Sequence, residues 1–416
     1  MKNKILLLFF LSSVNFLFSQ SVKELYKQGT NAYESKDYGG FLRICKTIDS
    51  IRPSHPTYSY NLACAYALNK EYENSFSTLE KCILENKELN FEQDVDLESL
   101  KSFAHYEKLV QLKKSLAQTV ANSKKVSVLS EKELHPENIV YLKQQKLWLA
   151  ASVRKRKIVS FDVATGICVD WFKDNQLLAV MALKTTQDQK SIWVCTSAVA
   201  EMEGYNSKDT NRSEVLQIDI ATHQVLQRIV LEGNHVLGDL CVTATGAVYV
   251  TDSVQPIIYK VENGQLVIWL DLTSRAYNLQ GIIFDEKRNC IFVADYLRGI
   301  LKINVSTPSI YNWLTFPRGF TFKGIDGLSL YKNSLIVIQN GVNPIRIARL
   351  TLENGYQISK ITILDHNRNE FKEPTSGCVV ANQFYFIANV PWSAYDSKGN
   401  LDSQKISNPM LFVTKL

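Results

Sequence analysis

EPTSGCVVANQFYFIANVPW, residues 373–392, opens with an acid, a proline and three small residues. A short apolar strand follows, then Ala-Asn, then a second strand rich in aromatics. The same layout recurs upstream. PENIVYL leads to KLWLAAS (136–152), LLAVMAL to SIWVCTS (177–197) and LGDLCVT to AVYVTDS (237–253). LQGIIFD leads to CIFVADY (279–296), and IDGLSLY to SLIVIQN (325–340). With PTSGCVV and FYFIANV (374–390) these make six units, each a polar opening turn followed by two short strands. That spacing predicts a six-bladed β-propeller. The opening turns are tight and polar because they line a central mouth; the strands behind them are apolar because blades pack face to face. A β-sandwich is the competing arrangement.

The last strand, PMLFVTKL (409–416), has no later partner in its blade. KKVSVLS (124–130) precedes the first unit, and pairing the two would close the ring and protect both edges. The propeller is therefore expected over 124–416.

Upstream of Val126 the texture is helical. VKELYKQGTNAYESKDYGGFLRICKTIDSIRP (22–53) carries apolar residues at helical spacing, with a break at Lys36-Asp37. YSYNLACAYALNKEYENSFSTLEKCILENKELN (58–90) repeats the pattern, with Gly29 aligned to Ala63 and Ala32 to Tyr66. DLESLKSFAHYEKLVQLKKSL, from Asp96, supplies a closing pair whose Leu97, Leu100, Phe103 and Leu109 would cover the last apolar face. Residues 20–118 resemble a short tetratricopeptide-type array without its consensus Trp; an unrelated helical bundle is the alternative. The fold class is thus α+β multidomain, helical repeats followed by an all-β propeller.

The chain has 416 residues, 45% hydrophobic and 21% charged, which predicts more than one domain. A net charge of +6 without a Lys/Arg cluster on a helix predicts no nucleic-acid partner. MKNKILLLFFLSSVNFLFSQ begins with two lysines before an apolar run and ends in small or polar residues. It reads as a signal peptide, residues 1–19, with an N-terminal anchor as the alternative. An exported protein, periplasmic or extracellular, is expected, with no transmembrane segment after its removal. None of the eight cysteines forms a CxxC pair, and most lie in apolar runs. They are expected to be mainly reduced and buried, and not metal ligands.

The opening turns resemble those of the calcium-dependent six-bladed propellers of the senescence marker protein, gluconolactonase and paraoxonase group, from Lys124 to the end. That resemblance implies a central cation held by carboxylate and amide oxygens, which suit a hard ion. It implies hydrolysis in which the ion polarises a lactone or ester carbonyl. Glu137 in PEN stands at the first-blade Glu of the group, and Asp326 in IDG at its Asp. Gln280 replaces one Asn, and Gly238 falls where another is expected. Asp239 and Glu373 would supply replacement oxygens. The implied metal set is Glu137, Asp239, Gln280 and Asp326, and crowded carboxylates would repel one another without a cation.

Around that set, Glu373, Thr375 and Trp392 are candidate pocket residues, with Tyr395 close by. His135 and His235 flank opening turns and are candidate proton carriers, or else plain loop histidines. EGYNSKDTNRSE (203–214) is a polar insertion, either a lid or a mobile hairpin. Two functions follow. One is a metal-dependent hydrolase of a small lactone or ester with a partly degenerate calcium site. The other is a non-enzymatic scaffold that binds a peptide or protein on the helical repeats and propeller.

Overall fold

Six antiparallel sheets radiate from a common centre in a computed structural model that describes residues 21–206, 208–354 and 357–416. The expected leader, 1–19, lies outside these residues. The inner strands of blades 1 to 6 are Ile139–Leu142, Ala179–Thr185, Leu237–Val242, Leu279–Asp285, Ile325–Tyr331 and Gly377–Val380. Each matches one opening segment of the sequence repeat. The core is not one mass but six wedges, one between each pair of neighbouring blades. Leu149, Ile158 and Val194 fill the wedge between blades 1 and 2, and Phe384, Phe386 and Phe412 help to fill that between blades 5 and 6. This is why second strands such as SIWVCTS are apolar on both faces and wholly buried.

Ring closure follows the expectation and adds to it. Lys124–Val128 pairs antiparallel with Met410–Lys415 as the outer strand of blade 6, with Lys124 opposite Val413 and Val128 opposite Met410. Just before it, Val120–Ala121 adds a fifth strand to blade 5, Val120 opposite His366. The Asp365 carboxylate accepts from the Ser123 backbone N–H (3.1 Å) and hydroxyl (2.9 Å). The strap thus ties two adjacent blades before the first blade begins.

Contacts divide the chain into two units. One holds the described residues up to Leu79 with Asp94–Leu100; the other holds Glu80–Gln93 and Lys101–Leu416. In the first, α1 (Val22–Glu34) and α2 (Tyr38–Ile51) are followed by α3 (Pro56–Leu68) and the start of α4 (Tyr72–Glu85). The second pair starts 34 residues after the first, since 56 − 22 and 72 − 38 both give 34. The turns repeat in detail. Lys36 and Lys70 both sit at φ 61°, and the next residue's N–H returns to Ala32 O in one turn (2.8 Å) and Tyr66 O in the other (2.9 Å). Gly29 lets α1 and α2 approach, because a Cβ there would lie 3.3 Å from Ile44 Cγ2.

The expected closing helix pair differs. Val95–Ser102 is a 3₁₀ segment, and only Ala104–Ala117 is α-helical (α5). Leu97, Leu100 and Leu109 are buried as expected, but Phe103 is 39% exposed because it sits at the start of α5 in extended conformation. Cys45, Cys168, Cys195, Cys241, Cys290 and Cys378 are unbridged, and burial pushes the Cys290 thiol up to about 11. No helix among the described residues is long and apolar enough to cross a membrane.

Candidate functional site

The inner strands are irregular where they reach the mouth. Register shifts fall between Val180 and Ala182, Leu237 and Asp239, Leu279 and Ile282, and Ile325 and Leu328. The skipped residues are Met181, Gly238, Gln280 with Gly281, and Asp326 with Gly327. A bulge takes a residue out of the ladder and re-aims its side chain. All of these residues line one cavity of about 320 Å³. The strands crowd there: a Cβ on Gly281 would lie 2.6 Å from Asp326 O, and one on Gly327 2.3 Å from Thr375 O.

The turns behind the mouth are held by the last residue of the second strand. Asp252 accepts from the Val236 N–H (3.2 Å), Asp295 from Tyr277 (2.6 Å) and Asn278 (2.9 Å), and the Gln339 amide donates to Thr321 O (2.8 Å). Ser152 does the same for Leu134 O. Each of these four side chains is fully buried.

Glu137, Asp239, Gln280, Asp326, Glu373, Thr375 and Trp392 all line the cavity. The EPTSG turn has a task there. Thr375 and Ser376 hydroxyls donate to Glu137 O (2.8 and 2.9 Å), so blade 6 grips the first-blade acid across the ring closure. The Trp392 indole N–H donates to Glu137 Oε2 (2.9 Å). Asp326 Oδ2 accepts from Asn340 Nδ2 (2.6 Å), and Asn340 Oδ1 accepts from the Tyr296 hydroxyl (2.9 Å). Glu373 takes φ 50° and accepts the Ser393 N–H (2.8 Å). Gln280 donates to Asn278 Oδ1.

Charge is uneven in this cavity. Burial, and then repulsion from Asp326, push the Glu137 carboxyl well above the usual carboxylate range, against the Trp392 bond. Burial also pushes Asp326 up to about 7; Asn340 opposes it, while Asp239 and Glu373 add to it. An acid whose ionisation is resisted in this way favours a bound proton or a nearby positive charge. Asp239 is different. Its Oδ1 accepts the Leu240 N–H (2.9 Å) and faces Lys184 Nζ (3.4 Å), and its Oδ2 accepts the Ile282 N–H (3.1 Å). Its charge is therefore met by an ammonium and two backbone N–H groups.

Neither histidine belongs to the cavity wall. His135 is 1% exposed, sits at φ 48° and packs edge-on against Trp392 with ring centroids 4.5 Å apart. Its Nδ1 is 3.0 Å from the Tyr395 hydroxyl, and burial lowers it to about 3, so it stays neutral. His235 binds Asp252 through Nδ1 (2.6 Å), as part of the turn latch. None of the described residues of the 203–214 insertion lines the cavity.

Sequence reasoning missed Ser253, Tyr296 and Asn340. They hold one repeated position, the residue after the second strand in blades 3, 4 and 5, and all three line the cavity. The final letters of AVYVTDS, CIFVADY and SLIVIQN carried that signal. Among the described residues, one trio of acid, thiol or imidazole ligand atoms lies within 4.8 Å of one another: Cys64, Asp94 and Asp96, in the helical unit. Its carboxylates accept the Tyr60 (2.7 Å) and Tyr33 (2.9 Å) hydroxyls. The cavity acids are more widely spread.

No protein-family model matches the chain, and no curated protein matches it in sequence, so neither the gluconolactonase group nor tetratricopeptide repeats gain support there. Several solved structures resemble this chain at low identity. A catalytically inactive virginiamycin B lyase from Staphylococcus aureus with quinupristin is 12% identical, covering 71% of this chain and 99% of that one, with TM-score 0.46. PQQ-bound aldose sugar dehydrogenase from Streptomyces coelicolor is 10% identical with the same coverage and TM-score. A nidogen/laminin complex is 13% identical, covering 64% and 97%, with TM-score 0.42.

Proposed function

We propose that the mouth cavity binds a divalent cation, calcium in the first instance, and that the protein is a slow hydrolase of a small lactone or ester. The observation that carries this reading is the pair Glu137 and Asp326, two acids lining one cavity whose carboxyls are both pushed up by burial, with Asp326 repelling Glu137 and with Asp239 and Glu373 repelling Asp326. A hard ion relieves that cost through oxygen ligands. Glu137 and Asp326 would hold it, with Gln280 and Glu373 lining the same cavity to contribute; Asp239, already facing Lys184, would contribute less. When bound, such an ion polarises a carbonyl. The chain's own residues do the rest. Trp392 and the Thr375/Ser376 hydroxyls fix Glu137, Asn340 fixes Asp326, and Met181, Val236 and Trp392 supply apolar wall for an uncharged ligand.

The test is metal analysis of purified protein, followed by a lactone and ester panel with and without chelator. Metal-free protein with no calcium, magnesium or manganese binding removes the cation. Bound metal with no turnover across the panel removes the hydrolase and leaves a binding protein.

A second reading rests on the 34-residue repeat of helices and turns. It supports a tetratricopeptide-like unit that offers a peptide or protein surface. Export completes the proposal: a mature N-terminus at Gln20, read by sequencing protein recovered outside the cytoplasm, would support it, and an intact Met1 there would count against cleavage.

A further inference from the structure

We infer that Lys184 is a resident cation of the mouth, which holds Asp239 out of the ligand set and thereby sets the affinity for divalent ions; this rests on the cation reading above. Lys184 comes from the inner strand of blade 2 and reaches Asp239 on blade 3, Nζ to Oδ1 3.4 Å. The two side chains are 22% and 10% exposed, so water screens their attraction only in part. Two backbone N–H groups, from Leu240 and Ile282, complete the shell around the carboxylate. Two N–H donors and the facing ammonium occupy much of the space around a carboxylate that offers roughly four lone-pair directions.

Asp239 lines the cavity, whereas Lys184 does not; its charge reaches the cavity through its partner. An ammonium in that place acts on a divalent ion in two ways. It repels the ion directly, and it cancels the negative charge that Asp239 would lend to Asp326, on which Asp239 already acts. The neighbouring bulge residue is Gly238, which offers no side-chain oxygen. Blades 2 and 3 therefore present a neutral pair where the sequence suggested an anionic ligand.

A purely structural lysine and a resident cation predict opposite signs. Losing a structural anchor loosens Asp239 and weakens ion binding. Losing a competing charge tightens it. The experiment is calcium titration by calorimetry, with chloride salts alone as probe, on full-length wild type, Lys184→Met, Lys184→Gln and Lys184→Arg, and on Lys184→Met combined with Asp239→Asn. Thermal melting checks that each variant folds, and the glutamine variant stands in if the methionine one does not.

The expected result is calcium affinity at least about tenfold tighter in Lys184→Met and Lys184→Gln, about 1.4 kcal/mol. Lys184→Arg should stay close to wild type, and Asp239→Asn should erase the gain. If wild type binds calcium and the folded Met and Gln variants bind it equally or more weakly, the inference is overturned while the cation reading stands. If wild type does not bind but the neutral variants do, Lys184 is the mouth's resident cation and the wild-type metal reading falls. If none binds, both fall.

Discussion

The cavity has two unlike arcs. Blades 5, 6 and 1 contribute Asp326, Glu373 and Glu137, held by neutral donors: an asparagine amide, a backbone N–H and an indole. Blades 2, 3 and 4 contribute Asp239, which faces an ammonium and two backbone N–H groups, beside a glycine and a glutamine. Neutral donors orient a carboxylate without cancelling its charge; an ammonium cancels it. One arc therefore retains a demand for positive charge and the other does not. The lesson is that an acid in the expected position of a repeat is not equivalent to its counterparts until its partners are known.

The largest effect should come from removing the demanding arc. Glu137→Ala with Asp326→Ala should abolish calcium-induced thermal stabilisation, which in wild type amounts to about 2.7 kcal/mol at a hundredfold excess over Kd. Asp239→Asn should keep most of that shift, read by melting in calcium and in chelator. Equal losses from the two changes would erase the distinction between the arcs.

Next comes pH. Asp326 is pushed up to about 7 in the folded protein, against an ordinary value of 3.8. The folded state therefore holds a proton that the unfolded chain releases between those values. This contribution to stability is fully present below about pH 4 and is lost as pH rises through about 7. In chelator, wild type should lose on the order of 2 kcal/mol across that window, a figure reduced for solvent in the cavity. Asp326→Asn should flatten the profile, and denaturant melts at successive pH values check it. An unchanged slope in the variant would assign the titration to another group.

A smaller change probes how neutral donors act. Trp392→Phe removes the N–H on Glu137 Oε2 but keeps an aromatic face toward His135. Calcium affinity should fall about fivefold, near 1 kcal/mol, the worth of one hydrogen bond to a charged group after partial relaxation. Tighter binding in calorimetry would mean that the indole competes with the ion for Glu137.

Much of this was legible before any coordinates. The period of opening turn and apolar strand specified six blades, because blades must bury both faces of their middle strands. The unpaired PMLFVTKL strand pointed to closure by KKVSVLS, and the pairing of Lys124 with Val413 is that closure. Six of the seven candidate cavity residues were legible because they fall in or beside opening turns, and the seventh, Trp392, follows the second strand of blade 6. What escaped was long-range or irregular. Bulges at Gly238 and Asp326 decide which side chains turn inward, and a bulge leaves no period-two signature. Lys184 reads as one polar residue at a strand end; its pairing with Asp239 depends on how blades 2 and 3 are set. His135 and His235 looked alike as loop histidines, yet one is sealed behind Trp392 and the other serves a turn latch.

The finest test adds a ligand to the undemanding arc. Gly238 falls where the sequence resemblance implied an Asn ligand. Its backbone is not left-handed, so glycine is not required by φ. The obstacle is Ser253: a Cβ at Gly238 would lie 2.4 Å from its Oγ, which donates to Leu279 O (2.9 Å). Gly238→Asn alone should therefore cost about 1 kcal/mol of stability as that hydroxyl is displaced. Gly238→Asn with Ser253→Ala removes the clash, since Ser253 Cβ is 3.8 Å away. The new side chain would point toward Gln280, whose Oε1 is 3.9 Å from the added Cβ. Against Ser253→Ala as reference, the double variant should bind calcium about threefold more tightly, because one amide oxygen replaces one water in a flexible shell. Tighter binding with faster hydrolysis would describe an enzyme weakened at blade 3. Tighter binding without hydrolysis would favour a structural ion in a binding protein. A folded double variant with unchanged affinity would confine the ligand set to blades 5, 6 and 1, and sharpen the contrast between the arcs.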